Sequence, residues 1–361
     1  MSSEQSNAQN CSRLTAHCSL EQMQTYGHTA AVEEPHLTAR RVFSLVSREL
    51  SLVEEEFERQ ARSNIQVIAY IGDYLRASGG KRVRPALTLL STCAVGGDAS
   101  QQNVVRMATV MEFLHTATLV HDDIIDNAET RRNRPSINSR FGNQTAVLMG
   151  DWLYMSAFET SLQERSLPVL DILTAVTRKM TEGELLQLTL LGRADVTEEQ
   201  YFDVLRRKTA YLFGACCEIG SILGGASDEE RRALGEYGLN LGTAFQLIDD
   251  LLDFTSDEGS LGKAAGVDLL EGKLTLPLIY LLEESPSMKA AVQSVMREGS
   301  YGEHPRATFM REAERVGALE RARARAASYA EAAAAALDAL RPSEYADALR
   351  SIPSFILERE T

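Results

Sequence analysis

Two stretches of the chain repeat one spacing of acids: Asp122-Asp123-Ile124-Ile125-Asp126 and Asp249-Asp250-Leu251-Leu252-Asp253 both read D-D-x-x-D among apolar neighbours. Residues four apart on a helix share a face, so Asp122 pairs with Asp126 and Asp249 with Asp253, while Asp123 and Asp250 turn away by about 100°. A carboxylate in an apolar setting costs several kcal/mol or becomes neutral, and a second acid one turn away adds to the cost. The pattern therefore predicts a bound cation. Hard carboxylate oxygens suit magnesium, which takes one or two carboxylates and fills its other positions with water and substrate phosphate, so a diphosphate substrate is implied. The plain alternative is a solvated helix face, which is common for one acidic cluster but does not explain two copies with apolar flanks.

Basic residues lie beside both acidic stretches. Gly79-Gly80-Lys81-Arg82-Val83-Arg84-Pro85 sets three cations after a glycine turn, Arg131, Arg132 and Arg134 follow the first acidic stretch, and Lys263 and Lys273 follow the second. Such groups fit an anion. His115, seven residues before Asp122, falls within about 20° of it around a helix, two turns lower, although a lone histidine there also reads as a core residue. Gly242, Gln246, Asp249 and Asp253 form one polar stripe, which turns Gln246 toward the same site. Lys208-Thr209 opens an apolar run to Cys217; by itself Lys208 reads as a snorkelling lysine.

The elements that must carry these residues are helices. Nine prolines in 361 residues and long runs of Ala, Leu, Glu and Arg predict an all-α fold. Leu234, Leu241, Phe245, Ile248 and Leu252 mark the buried stripe of one helix, and Arg311 to Leu340 reads as a single outer helix. Residues 1–36 are expected to form a flexible leader, without the basic start and apolar stretch of a secretory signal, and 37–361 one helical domain. A composition 44% hydrophobic and 24% charged excludes disorder throughout. The net charge of −14 argues against a protein that coats nucleic acid or anionic lipid. No run reaches the length of a membrane span, and five scattered cysteines indicate a reducing, cytoplasmic setting.

Taken in order, GGKRVRP, HTATLVHDDIIDNAETRR, GDWLY, KTAYLF, FQLIDDLLDF and GKAAGVDLLEGKLTLP resemble the trans-polyprenyl diphosphate synthases. The resemblance implies a helical bundle of the isoprenoid synthase type around a central cavity, usually a homodimer, with the aspartate motifs facing each other at the mouth. It implies condensation of an allylic diphosphate primer, bound through three Mg²⁺, with successive isopentenyl diphosphates. By resemblance Asp122, Asp126 and Asp249 are the principal metal ligands, and Asp123, Asp250 and Asp253 support them. Arg131, Lys208, Lys263 and Lys273 match the groups that hold the allylic diphosphate, and Lys81, Arg84, His115 and Arg132 those that hold isopentenyl diphosphate. Thr209 and Gln246 match polar residues near the reacting carbon.

In this family the residues four and five places before the first motif act as a floor, and here they are the small Thr118 and Ala117. The tunnel is thus expected to continue past Leu114 and Phe113. A tail of about forty to fifty carbons, extended, matches a helix of roughly thirty residues, so the cavity must run most of a helix length or leave the bundle. The motif wording resembles bacterial enzymes that make the ubiquinone side chain, whose product passes to the membrane. A shorter-chain farnesyl or geranylgeranyl synthase, or a noncatalytic subunit of a two-component synthase, are the competing readings. A terpene cyclase fits less well, since it needs neither the second acidic motif nor the GGKRVRP cations.

Overall fold

The computed structural model describes residues 38–77, 79–131, 134–256 and 265–358, all within the unit Leu37–Thr361. The expected leader, Arg132 and Lys263 lie outside the described residues. The first half runs α1 (Ala39–Ser44), α2 (Ser47–Ala61), α3 (Gln66–Ala77), α4 (Val83–Ala94), α5 (Gln102–Ile125), α6 (Ile137–Phe141), α7 (Asn143–Ser161), α8 (Leu167–Leu190) and α9 (Glu198–Leu205). After a π-helical turn over Arg206–Ala210 come α10 (Tyr211–Leu223), α11 (Asp228–Thr255), α12 (Val267–Leu270), α13 (Leu276–Glu284), α14 (Lys289–Glu298), α15 (Arg306–Arg315), α16 (Ala318–Ala336) and α17 (Glu344–Glu358). The fold is all-α. The described strands are an antiparallel pair of two residues each, with Thr130 opposite Pro135 and Arg131 opposite Arg134.

The long α11 is the axis of the bundle. It starts on a capping box, in which the Ser227 hydroxyl accepts from the Glu230 N–H while the Glu230 carboxylate accepts from the Ser227 N–H. Asp228, Glu229 and Glu230 add charge that suits a helix N-terminus. Leu234, Leu241 and Ile248 of the predicted stripe are buried, with Phe245 and Leu252 packed at its edge. The helix lies against α10 and α16, and α5 lies against α2, α4 and α7. Small residues set how closely these helices pack: a Cβ on Gly220 of α10 would stand 2.3 Å from the Thr88 carbonyl oxygen of α4. There Thr92 donates its hydroxyl to the Gly220 carbonyl at 2.8 Å.

The single outer helix expected from Arg311 to Leu340 is instead two. Gly317, at φ +77°, ends α15 and opens α16. Nor is α16 merely an outer helix: Ala322, Ala326, Ala330 and Ala333 are buried where it meets α11. Alanine reads as a helix former in sequence, and its role as a thin packing face depends on the neighbour it meets.

Candidate functional site

The last two turns of α5 bring Asp122 and Asp126 onto the wall of a cavity of about 1540 Å³, together with Thr118 and His115. Asp123 turns inward, only 2% exposed, and accepts from Arg131 Nε at 2.7 Å. It is thus a support for Arg131, which itself lines the cavity. Burial, then the neighbouring Glu184 and Asp126, push the Asp122 carboxyl up to about 7 against the pull of Lys208 and Arg131.

Across the cavity, α11 presents Gln246, Asp249 and Asp250. The stripe that joined Asp249 to Asp253 needs correction, because Asp253 is buried and its carboxylate accepts from the Asp268 N–H at 3.1 Å. Its carbonyl accepts from the Gly266 N–H at 2.7 Å. Asp253 therefore fixes the segment entering α12, and its Oδ1 is buried without a hydrogen bond. Asp250, expected to turn away, reaches the wall with both carboxylate oxygens occupied: Gln246 Nε2 donates to Oδ1 at 2.8 Å and Tyr201 to Oδ2 at 2.6 Å. Burial raises its carboxyl to about 6, with the Tyr201 and Gln246 hydrogen bonds opposing.

The π-helical turn between α9 and α10 carries Lys208 and Thr209 into the same cavity. One extra residue per turn changes which side chains face a given side, a device found at functional sites. Lys208 is no snorkelling lysine: its ammonium lies 2.8 Å from Glu184 and donates to Gln187 Oε1 at 3.0 Å, both on α8. Thr209 donates to Gln246 Oε1 at 2.8 Å. Below α12, burial opposes the charge of Lys273, yet Asp126, Asp268 and Glu271 hold its ammonium well above the ordinary lysine range; it lies 3.5 Å from Asp126.

Lys81, Arg84 and His115 also line the cavity, and the Arg84 guanidinium lies 4.9 Å from the centre of the Phe213 ring. Arg82 takes a structural role, at φ +49° with its guanidinium on Glu54 and Glu112. Thr118 is on the wall, but Ala117 and Leu114 are not; both are buried in the core, where Phe113 stacks on Phe57 at 4.5 Å. The residues expected to form the floor and tunnel, Ala117 and Leu114, thus lie behind the cavity wall. The cavity descends instead between α5, α7 and α8, past Phe158, Thr177 and Thr181. Glu184, Gln187, Tyr201 and Asp268 escaped the reading of the sequence. Glu184 and Gln187, three apart in an apolar helix, carried a readable signal; Tyr201 carried none.

Among the described residues no three His, Cys, Asp or Glu side chains stand close enough to hold an ion alone. Magnesium does not need that, since it keeps waters and shares substrate phosphate. Asp122 and Asp126 facing Asp249, with Asp122 strained toward protonation, are a donor set that suits a hard cation held jointly with a diphosphate.

The family model of the polyprenyl synthetases matches residues 65–308. An octaprenyl diphosphate synthase of Escherichia coli is 37% identical over 325 residues, spanning 90% of this chain and all of that protein. Among solved structures, a decaprenyl diphosphate synthase from Rhodobacter capsulatus superposes with a TM-score of 0.84 at 33% identity, covering 89% of this chain and 99% of the other. A polyprenyl synthase from Caulobacter crescentus, complexed with calcium and isoprenyl diphosphate, gives 0.83 at 33% identity, covering 91% and 100%.

Proposed function

The chain belongs to the polyprenyl synthetase family and is a long-chain trans-prenyltransferase, and from that premise we propose how its cavity works. An allylic diphosphate lies at the mouth between α5 and α11, and isopentenyl diphosphate lies against Lys81, Arg84 and His115. Asp122, Asp126 and Asp249 would hold Mg²⁺, three ions by family resemblance, which neutralises the diphosphate and stabilises the charge that builds as it leaves. Lys208, Lys273 and Arg131 hold the same anion, and Arg132 and Lys263, outside the described residues, belong to the two diphosphate sites by resemblance. Breaking the allylic C–O bond leaves the electron pair on diphosphate. The π electrons of isopentenyl diphosphate then form the new C–C bond, and the proton lost from the adjacent carbon passes to the departed diphosphate. Thr209 and Gln246 face the reacting carbon and stabilise the transient cation.

The observation that carries this reading is one cavity walled by the two acidic helices and lined by Lys81, Arg84, Arg131, Lys208 and Lys273 together with apolar side chains of α7 and α8. Calcium and isoprenyl diphosphate in the Caulobacter relative support it. The purified chain incubated with labelled isopentenyl diphosphate, Mg²⁺ and a set of primers should give a ladder ending at long products, lost on adding a chelator. No incorporation would overturn the reading and leave a noncatalytic subunit.

A homodimer completes the proposal. Val147, Leu148 and Met155 of α7 and Leu185 and Leu188 of α8 stay exposed, Leu148 by 68%, a face larger than scattered surface apolars explain. A second copy covering it would make Leu148→Glu monomeric by light scattering. The product, expected to become the ubiquinone side chain, is handed to the membrane; no helix among the described residues is long and apolar enough to cross one. The described cysteines, Cys93, Cys216 and Cys217, are free thiols, in keeping with the cytoplasmic setting of this reading.

A further inference from the structure

Four side chains from three elements make one hydrogen-bonded line ending at the cavity. Tyr201 of α9 donates to Asp250 Oδ2 at 2.6 Å, Gln246 Nε2 donates to Asp250 Oδ1 at 2.8 Å, and Thr209 of the π-helical turn donates to Gln246 Oε1 at 2.8 Å. Tyr201 is buried at 8% exposure and Asp250 at 7%, and all four residues border the cavity.

The direction of this line is fixed by chemistry. An ionised carboxylate only accepts, so Gln246 must turn its NH₂ toward Asp250 and its carbonyl toward Thr209. That carbonyl only accepts as well, so it takes the Thr209 proton. The hydroxyl then has only lone pairs to offer the cavity. Were Gln246 reversed, its NH₂ would donate to Thr209, and the hydroxyl proton would point at whatever occupies the site. The two states differ in the sign of the dipole that meets a developing positive charge.

We propose that Tyr201 and Asp250 are positioning residues that lock the amide of Gln246 and, through it, aim the lone pairs of Thr209 at the allylic cation. This rests on the prenyltransferase reading above and adds to it a polarity device in the cavity wall. A hydrogen-bonded line anchored on buried Tyr201 and Asp250 specifies one arrangement, and here that arrangement has a catalytic sign.

The test is a set of double-mutant cycles on the full chain, read as single-turnover rate, KM for each diphosphate and half-saturating Mg²⁺. Thr209→Val removes the terminal hydroxyl, and Tyr201→Phe removes the outer donor. Each should lower the turnover by about tenfold or more, the scale of coupling between residues in one network, with both KM values within about twofold. In the Thr209→Val background Tyr201→Phe should have no further effect, whereas with Thr209→Ser, which keeps the hydroxyl, its effect should return. Asp250→Asn keeps the shape but can present an NH₂ to Gln246, which reverses the line; it should lower turnover at unchanged half-saturating Mg²⁺ and add nothing to Thr209→Val. This variant also serves if Tyr201→Phe does not fold. Independent, multiplicative effects of Tyr201→Phe or Asp250→Asn on Thr209→Val, or rescue of Asp250→Asn by raised Mg²⁺, would overturn the inference. An inactive wild-type chain would instead overturn the reading of the function.

Discussion

Asp122 and Asp123 are adjacent and chemically identical, yet the first faces the cavity and the second is buried and holds Arg131 at the cavity wall. Their substitutions should separate accordingly. Asp122→Asn should cut turnover by about 10²–10³, the scale set by losing one charge-stabilising group. Asp123→Ala should chiefly raise KM for the allylic diphosphate, by releasing Arg131, at unchanged half-saturating Mg²⁺. Stability adds a second contrast. The Asp122 carboxyl is raised from 3.8 to about 7, so without metal the folded state binds its proton more tightly than the unfolded state. That contribution is present at low pH and is lost as pH rises from about 4 to about 7. Asp122→Asn should therefore remove part of the downward slope of Tm with pH over that window and raise Tm of the metal-free protein at pH 8, while slowing the reaction. Four-residue spacing pairs Asp122 with Asp126 and Asp249 with Asp253, and the cavity wall takes both members of the first pair but only Asp249 of the second. Spacing states which side chains point together, and only packing states what they point at: on α11, the carboxylate and carbonyl of Asp253 accept from the backbone N–H groups of Asp268 and Gly266, which no periodicity reveals.

At the level of elements, the position of Lys208 depends on a close contact between α8 and the π-helical turn. A Cβ on Gly183 would fall 2.7 Å from Arg207 Cβ and 3.1 Å from the Lys208 backbone nitrogen. Gly183→Ala must push the turn away from α8, at a cost of roughly 1–3 kcal/mol for overpacking. The same movement breaks the seating of Lys208 on Glu184 and Gln187, one turn along α8. We expect the variant to fold with a lowered midpoint in urea and to lose more than about tenfold in kcat, since a small misplacement at the reacting centre is costly. A loss no larger than the fall in folded fraction would leave Gly183 a packing residue only. The helices themselves were legible, because capping boxes at Ser227 and Thr197 and the apolar stripe of α11 are local signals. The π-helical turn was not, because one inserted residue inside an apolar run leaves the run apolar, and the break at Gly317 was hidden by the helix-forming residues on both sides of it.

For the whole molecule, the question is where a tail longer than the bundle's mouth goes. On α5 the cavity wall runs from Asp126 to Glu112, fourteen residues or about 21 Å of helix, and on α8 from Leu190 to Thr177, about 20 Å. An extended tail of about forty carbons is more than twice that by the thirty-residue comparison, so it cannot be stored along these walls. Its way on is apolar: Met155, Leu185 and Leu188 belong both to the cavity wall and to the exposed face proposed for a second copy, so the opening leads the tail toward the seam between the two copies. Bulk added on the wall above this opening should stop growth, and bulk added behind the wall should not. Thr118 is on the wall and Ala117, completely buried, is behind it. Thr118→Tyr should therefore shift the products to shorter chains at near wild-type stability. Ala117→Tyr should first destabilise the α5 core by about 1–3 kcal/mol or more, shortening the product only as far as α5 is displaced into the cavity. Chromatographic sizing of the two product ladders, alongside urea melts of both variants, separates wall from core. A full-length ladder from a folded Thr118→Tyr enzyme would mean that the tail descends on the α8 side, past Thr177 and Thr181, without touching α5.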